Sequence, residues 1–227
     1  ESHYLSSLPP SNSPFRWVAF LVCFWRLRRW ARRNGFSVAP KPVFRREAAI
    51  AMYLNLLDAE ARARGSDGWV DKTPAHLRVV QALRAHSRQL RFIFCYRDGA
   101  GCVDSLAKVL PEWRGEPDES DRAYAIARWL HDSALCHLRF DADDSFNLVY
   151  EQLLGDEESV VSSLYAFLGL AQVPAGDRPA LSTLAAQVTD ESELWKGNNL
   201  RRSGVEPGGE LPTQNLEALT RLVDELR

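Results

Sequence analysis

Residues Leu90 to Ser105 read LRFIFCY followed by RDGAGCVDS. Aromatic and aliphatic side chains lead straight into Arg97-Asp98-Gly99, and there the period of the sequence changes. After Gly101 the apolar residues fall at Val103, Leu106, Ala107 and Leu110, which is the i, i+3, i+4, i+7 spacing of one helix face. The stretch predicts a buried strand, a tight turn and a helix, with Asp98 as N-cap. In an open α/β sheet, ligands sit in the crevice beyond the carboxyl ends of the strands. A helix N-terminus there presents free N–H groups and a positive dipole end, which suits an anion such as phosphate. Arg97 stands at that edge with a fork of donors matched to phosphate oxygens, and Ser105, two turns into the helix, can add a hydroxyl. The plainer alternative is an Arg97–carboxylate pair and a hairpin at Asp98-Gly99. A hairpin needs a second alternating strand, and the helical period after Gly101 argues against one.

Upstream, residues 44 to 64 predict a helix with Ile50, Tyr53, Leu54 and Leu57 on one face, ended by Gly65 and Gly68. Trp69-Val70 then reads as a short strand. In Asp71-Lys72-Thr73-Pro74, Thr73 can cap a helix whose first position is Pro74, with Val79, Val80 and Leu83 buried. Two successive strand–turn–helix units predict a parallel sheet, and they place Lys72 and Arg97 side by side at its carboxyl edge. Two cations on one edge are costly unless an anion joins them, which strengthens the case for a phosphate or sulfate site.

Downstream, residues 111 to 120 (PEWRGEPDES) read as a polar loop, and residues 121 to about 140 as a helix carrying Ile126, Trp129 and Leu130. His131 and His137 lie on it and read as surface or satisfied histidines rather than bases. Phe146 to Tyr150 is a further strand, ending at Glu151, and a helix from Asp156 to Leu168 closes at Gly169. Residues 171 to 193 read as partly helical, and 195 to 212 as a glycine-rich loop with Lys196, Arg201 and Arg202. A last helix starts near Asn215. At the other end, residues 1 to 16 are loop-like after the first few. Residues 17 to 33 run from apolar to strongly basic (Arg26, Arg28, Arg29, Arg32, Arg33), and Asn34-Gly35 stops them. That segment fits a membrane-surface helix or an acceptor-binding wall, but a packed helix with a solvated basic end is the simpler reading.

With 227 residues, 45% of them hydrophobic, the chain can bury one good-sized core. No internal repeat or linker divides it, so a single domain over residues 1 to 227 is expected. A net charge of −2 gives no bulk-electrostatic case for nucleic acid or for an acidic membrane surface. Cys23, Cys95, Cys102 and Cys136 show no metal-ligand spacing and read as reduced core thiols of a cytoplasmic protein. The longest apolar run, Trp17 to Trp25, is about half of what a membrane span needs. The start at Glu1 and the end at Arg227, inside a helical pattern, suggest a fragment whose lost N-terminus could have carried an anchor.

Taken together these motifs resemble the sulfotransferases that use 3′-phosphoadenosine-5′-phosphosulfate (PAPS), nearest the tyrosylprotein and carbohydrate branch. GWVDKTPAHL (68 to 77) resembles the family's lysine-containing loop after the second core strand. FIFCYRDGAGCVDSL (92 to 106) resembles its 3′-phosphate motif, and NLVYEQLLGDEESVVSSLYAFLGL (147 to 170) its RYE-D/Q-L segment and following helix. ESHYL at the start resembles the stretch after the family's first helix.

The resemblance implies a P-loop-NTPase-like three-layer α/β/α fold around a central parallel sheet. It implies in-line transfer of a sulfuryl group to a hydroxyl acceptor, with no metal required. Arg97 and Ser105 would hold the 3′-phosphate, Tyr150 would contact the nucleotide, and Lys72 would offset charge as the S–O bond breaks. Glu1 would be the general base, with His3 in reserve. The family's glycine-rich 5′-phosphosulfate loop has no counterpart in these residues. A truncated N-terminal strand–loop–helix, and with it poor donor binding, is therefore expected. Acceptor-binding segments would be roughly 11 to 46 and 111 to 140, and their composition selects no one class among glycan, peptide tyrosine, lipid and small metabolite. The alternatives are a non-catalytic binding domain on the same fold and a P-loop small-molecule kinase, for which a Walker lysine and a magnesium ligand are missing.

Overall fold

The structure is a computed structural model, and it describes residues 4–9, 16–37, 39–87, 89–137 and 143–173. The chain divides into two compact units, Glu1–Leu90 and Arg91–Arg227. Expectations for the segments 171 to 193 and 195 to 212 and for the last helix fall, from residue 174 onward, outside the described residues.

In the first unit a short 3-10 turn, Leu5–Ser7, precedes α1 (Arg16–Arg33) and α2 (Arg46–Ala63). A second 3-10 turn, Pro74–Val79, leads into α3 (Val80–His86). The core follows the apolar spacing. α1 buries Phe20, Cys23, Phe24, Leu27 and Ala31, and α2 buries Ile50, Tyr53, Leu54 and Leu57. Val79, Val80 and Leu83 are buried as expected. Each such aliphatic or aromatic side chain contributes about 1.5–3 kcal/mol of transfer free energy. The N-terminal residues, although loop-like in composition, add Tyr4, Leu5 and Leu8 to this core, and Tyr4 stacks on Tyr53 with ring centroids 5.8 Å apart. The Cys23 thiol donates to the Ser7 carbonyl (3.1 Å), tying α1 to that turn.

Two local expectations fail here. Trp69-Val70 forms no strand: Val70 is 90% exposed, and the Trp69 indole N–H donates to Asp58 on α2 (2.7 Å). An aromatic and a β-branched residue favour a strand only where a neighbouring strand packs against them, and none of the described residues does so here. Thr73 does precede Pro74 at the start of the second turn, but its hydroxyl caps nothing. It donates instead to the Asp71 carboxylate (2.8 Å), a charged and therefore stronger acceptor.

The second unit opens with β1 (Phe92–Tyr96), α4 (Gly99–Arg114) and α5 (Asp121–His137). It continues through β2 (Ser145–Val149), α6 (Tyr150–Gly155) and α7 (Glu157–Leu168). β1 and β2 pair in parallel from Phe92↔Ser145 to Tyr96↔Val149. The described residues of this unit therefore form a helix-rich α/β arrangement around a small parallel sheet. The face of α4 read from the sequence packs on α5: Val103, Leu110 and Ala125 are fully buried, with Leu106, Ala107, Ile126 and Trp129 against them. Asp156 caps α7 by accepting from the Ser159 N–H (3.1 Å), and Gly169 ends it.

β1 is less buried than expected. Only Phe94 is enclosed, while Ile93 is 37% exposed and Cys95 lies at the surface, so Cys95 is not a core thiol. Within the described sheet β1 has a neighbour on one edge only. None of the four cysteines forms a disulfide. The polar stretch from 111 does not begin a loop either, because α4 runs through Pro111 to Arg114. A mid-helix proline forfeits one backbone bond and costs about 3 kcal/mol, which the buried face one residue earlier helps to offset. The helix then stops at Gly115, whose φ of +88° a side chain would strain. At the far strand, Tyr150 opens α6 rather than closing β2, one residue from the expected boundary.

Candidate functional site

The parallel register ends at Tyr96 and Val149, so Arg97-Asp98 and Tyr150-Glu151 leave the sheet at the same edge. Three contacts fix that edge. The Asp98 carboxylate accepts from the Gly101 N–H (2.7 Å), capping α4 as predicted. The Asp98 backbone N–H donates to Glu151 Oε1 (2.8 Å), joining the two strand exits. The Cys102 thiol points at the Arg97 carbonyl, 3.9 Å away. Above this frame the Arg97 guanidinium carbon lies 5.3 Å from the centre of the Tyr150 ring.

The Gly101 amide in the first turn of α4 is taken by the chain's own Asp98 carboxylate, so the helix N-terminus offers an anion one N–H fewer. The positive charge left for an anion is Arg97, which is exposed and has no carboxylate in ion-pair range among the described residues. A guanidinium over an aromatic ring still carries N–H donors that can reach two oxygens at once. These residues fit a phosphate.

Gly101 makes room for that arrangement. A Cβ there would lie 3.3 Å from Asp98 Oδ2 and 3.5 Å from Arg97 Nη2. Ser105 is one helical turn beyond Gly101 on the same face of α4, with its side chain exposed. Gly101→Ala should therefore press the Asp98 carboxylate, and with it the adjoining Arg97, aside by a few tenths of an ångström rather than unfold α4. We expect a stability change within about 1 kcal/mol, since alanine favours helix by that amount. Adenosine 3′,5′-bisphosphate should bind about tenfold more weakly, a loss of about 1.4 kcal/mol. Chemical unfolding and calorimetry on the same variant separate the two effects.

Lys72 belongs to the first unit, exposed on the loop between α2 and the second 3-10 turn. Because no strand precedes it, the sheet-edge argument that set it beside Arg97 does not apply. What the structure shows at Lys72 is a flanking network. The Asp71 carboxylate accepts from Tyr53 (2.9 Å), Thr73 (2.8 Å) and His76 Nδ1 (2.9 Å). Burial alone would raise the Asp71 pKa, but the hydrogen bonds from His76, Thr73 and Tyr53 together bring it below its ordinary value. His76 is itself buried, edge-on to Tyr53, and its Nε2 has no hydrogen-bond partner among the described residues. Glu1 and His3, the expected bases, lie outside the described residues.

Sequence reasoning missed Glu151 as the clamp between strands and Asp71 as the anchor beside Lys72. Each was visible only as a neighbour of a residue already singled out. Burial pushes the Cys102 thiol up, Arg97 opposes this, and Asp98 and Glu151 add to it. Cys102 therefore stays a protonated thiol near neutrality and is no nucleophile. Among the described residues no cluster of three or more His, Cys, Asp or Glu side chains could hold a metal ion.

A family model described as the sulfotransferase family matches residues 30–174, from the basic end of α1 to beyond α7. No curated protein and no solved structure matches the chain. The matched stretch covers more than half of the chain and contains both strand exits, Lys72 and the whole of α4. The chain belongs to the sulfotransferase family.

Proposed function

We propose that this chain transfers a sulfuryl group from PAPS to a hydroxyl-bearing acceptor, and that residues 1 to 227 form one sulfotransferase-like domain. The observation that carries the reading is the Arg97 guanidinium over Tyr150 at the shared exit of two parallel strands, with no carboxylate partner among the described residues. Membership of the family implies sulfuryl transfer, a hydroxyl acceptor and a P-loop-like α/β fold, with which the parallel pair is compatible. The family match also runs across the boundary between the two units, which supports the one-domain reading. The three-layer fold and a cytoplasmic location complete the proposal.

In this reading Arg97 grips the 3′-phosphate by two charge-assisted hydrogen bonds, and Ser105 adds a hydroxyl on the same helix face. Tyr150 lies against the guanidinium and contacts the nucleotide. Glu151 and Asp98 carry no ligand: they lock the backbone from which Arg97 projects. PAPS, when bound, supplies an activated sulfuryl group. Lys72, held by the Asp71 network, meets negative charge as it develops on the leaving side. Glu1, or His3, takes the proton of the attacking hydroxyl. Most of the rate comes from alignment of the two oxygens and from charge stabilisation.

Titration calorimetry with adenosine 3′,5′-bisphosphate tests this on the 227-residue chain and on the longest product of the same reading frame. Micromolar binding without magnesium by at least one of the two proteins, followed by its sulfate transfer to an acceptor panel, is the expected result. No heat from either protein at millimolar ligand overturns the donor assignment, and binding that requires magnesium and an ATP-type triphosphate would assign a kinase instead.

A further inference from the structure

α1, which falls in a segment expected to bind acceptor, has an outer face that no step of the proposed transfer uses. Its inner side is spent on the core of the first unit through Phe20, Cys23, Phe24, Leu27 and Ala31. Its outer side is segregated along the axis. The first half presents Trp17 (58% exposed), Val18, Val22 (51%) and Trp25 (60%). The second half presents Arg28, Arg29, Arg32 and Arg33, which line a concavity together with Trp25, and the Arg28 guanidinium sits 5.5 Å from the Trp25 ring centre.

Among the described residues nothing compensates the charge on this face. α1 contains no acidic residue, and among the described residues none of Arg26, Arg28, Arg29, Arg32 and Arg33 pairs with a carboxylate. The whole chain nevertheless carries a net charge of −2, so the cationic field belongs to this helix and not to the protein at large.

An occupant of this face must offer anions to the arginines and an apolar medium to two tryptophans and two valines. A sulfated or carboxylated glycan supplies the first and can stack on tryptophan, but it stays hydrated and gives Val18 and Val22 nothing. A bilayer with anionic headgroups supplies both, in adjacent layers. Tryptophan is favoured at the headgroup level, and arginine there reaches phosphate while its stem stays in apolar surroundings. The helix is about 27 Å long and would lie tilted at the surface, with its first half deeper than its basic second half. It is not apolar enough to cross a membrane.

We propose that the outer face of α1 docks this protein on an anionic membrane surface, with Trp17, Val18, Val22 and Trp25 at the acyl boundary and Arg28, Arg29, Arg32 and Arg33 on the lipid phosphates. The acceptor would then be presented to the enzyme at that surface.

Flotation of the full 227-residue chain with lipid vesicles tests this independently of donor binding. Binding to phosphatidylcholine vesicles containing phosphatidylglycerol is expected, with little binding to phosphatidylcholine alone. Each of Arg28→Gln, Arg29→Gln and Arg32→Gln should weaken partitioning about fivefold at low salt. Trp17→Ser combined with Trp25→Ser should weaken it at least tenfold at any salt. All five positions are on the exposed face, so far-UV circular dichroism should be unchanged in every variant. Absence of the chain from the anionic vesicle fraction overturns the proposal. So does flotation that survives the double tryptophan replacement. Retention by a soluble sulfated polysaccharide with no vesicle binding reassigns the face to a glycan.

Discussion

Arg97→Ala should weaken binding of adenosine 3′,5′-bisphosphate by a hundredfold or more while leaving the fold intact. The loss is large because two charge-assisted hydrogen bonds to a phosphate contribute about 1.5–3 kcal/mol each, and alanine replaces neither. The fold survives because the guanidinium is exposed and its one described contact is the Tyr150 ring, 5.3 Å away. A cation–π pair at such a site contributes only about 0.5–1 kcal/mol. The helix cap, the Glu151 clamp and the Cys102 contact use Asp98 atoms and the Arg97 backbone, all of which alanine retains. A decisive readout is discrimination between adenosine 3′,5′-bisphosphate and adenosine 5′-phosphate. If Arg97 holds the 3′-phosphate, the parent protein prefers the bisphosphate strongly and the alanine variant binds the two nearly alike. Arg97→Lys restores the charge without the fork and should recover about a tenth of the lost affinity, because geometry as well as charge is used. An alanine variant that keeps the preference for the bisphosphate would move the 3′-phosphate away from this edge. Calorimetry with the two nucleotides on three proteins settles it.

What could be read from the sequence divides along a physical line. The α4 face at Val103, Leu106, Ala107 and Leu110, the Asp98 cap and the closure of α7 at Gly169 all depend on neighbours within a few residues. Local spacing records such contacts directly. The failures sit where distant partners decide. Trp69-Val70 has the composition of a strand, but strand formation needs a neighbour that the sequence does not advertise. Cys95 alternates as a strand residue should, yet burial depends on what covers the second face of the sheet. Pro111 and the polar residues after it look like a loop, and the helix persists because its earlier turns pack on α5. At the site, Arg97 stood out by the strand–turn–helix spacing and Tyr150 only by the family resemblance, while their contact depends on a strand register that local spacing does not record. The competition between phosphate and the Asp98 carboxylate for the same amides was not, since an N-cap and an anion site share one sequence signature.

Asp71→Asn should destabilise the protein by about 2–4 kcal/mol at neutral pH, the range for breaking a buried hydrogen-bonded charge network. The carboxylate is an acceptor only, and it takes three donors: the Tyr53 hydroxyl, the Thr73 hydroxyl and the His76 ring N–H. An asparagine keeps one acceptor oxygen and turns an N–H₂ toward donors, so at least one of these groups loses its partner. The site is well screened from water, with the Asp71 side chain only 18% exposed and Thr73 and His76 buried, so solvent cannot fill the gap cheaply. The effect should depend on pH in a definite direction. The Asp71 carboxyl titrates lower in the folded protein than its ordinary value of about 4. A group depressed in this way adds stability at every pH above its unfolded-state value, and that stability disappears as pH falls through the folded-state value. Once protonated, the parent carboxyl also presents a donor to the network and resembles the asparagine. The gap between parent and variant, measured by urea unfolding, should therefore be constant from pH 7 down to about 5 and close progressively below about pH 4. Thr73→Val removes one donor without touching the charge, so it should cost about 1 kcal/mol and show no such closure. If the Asp71→Asn gap stays the same down to pH 3, packing rather than charge holds the loop that carries Lys72. If there is no gap at neutral pH, the network does not hold that loop at all.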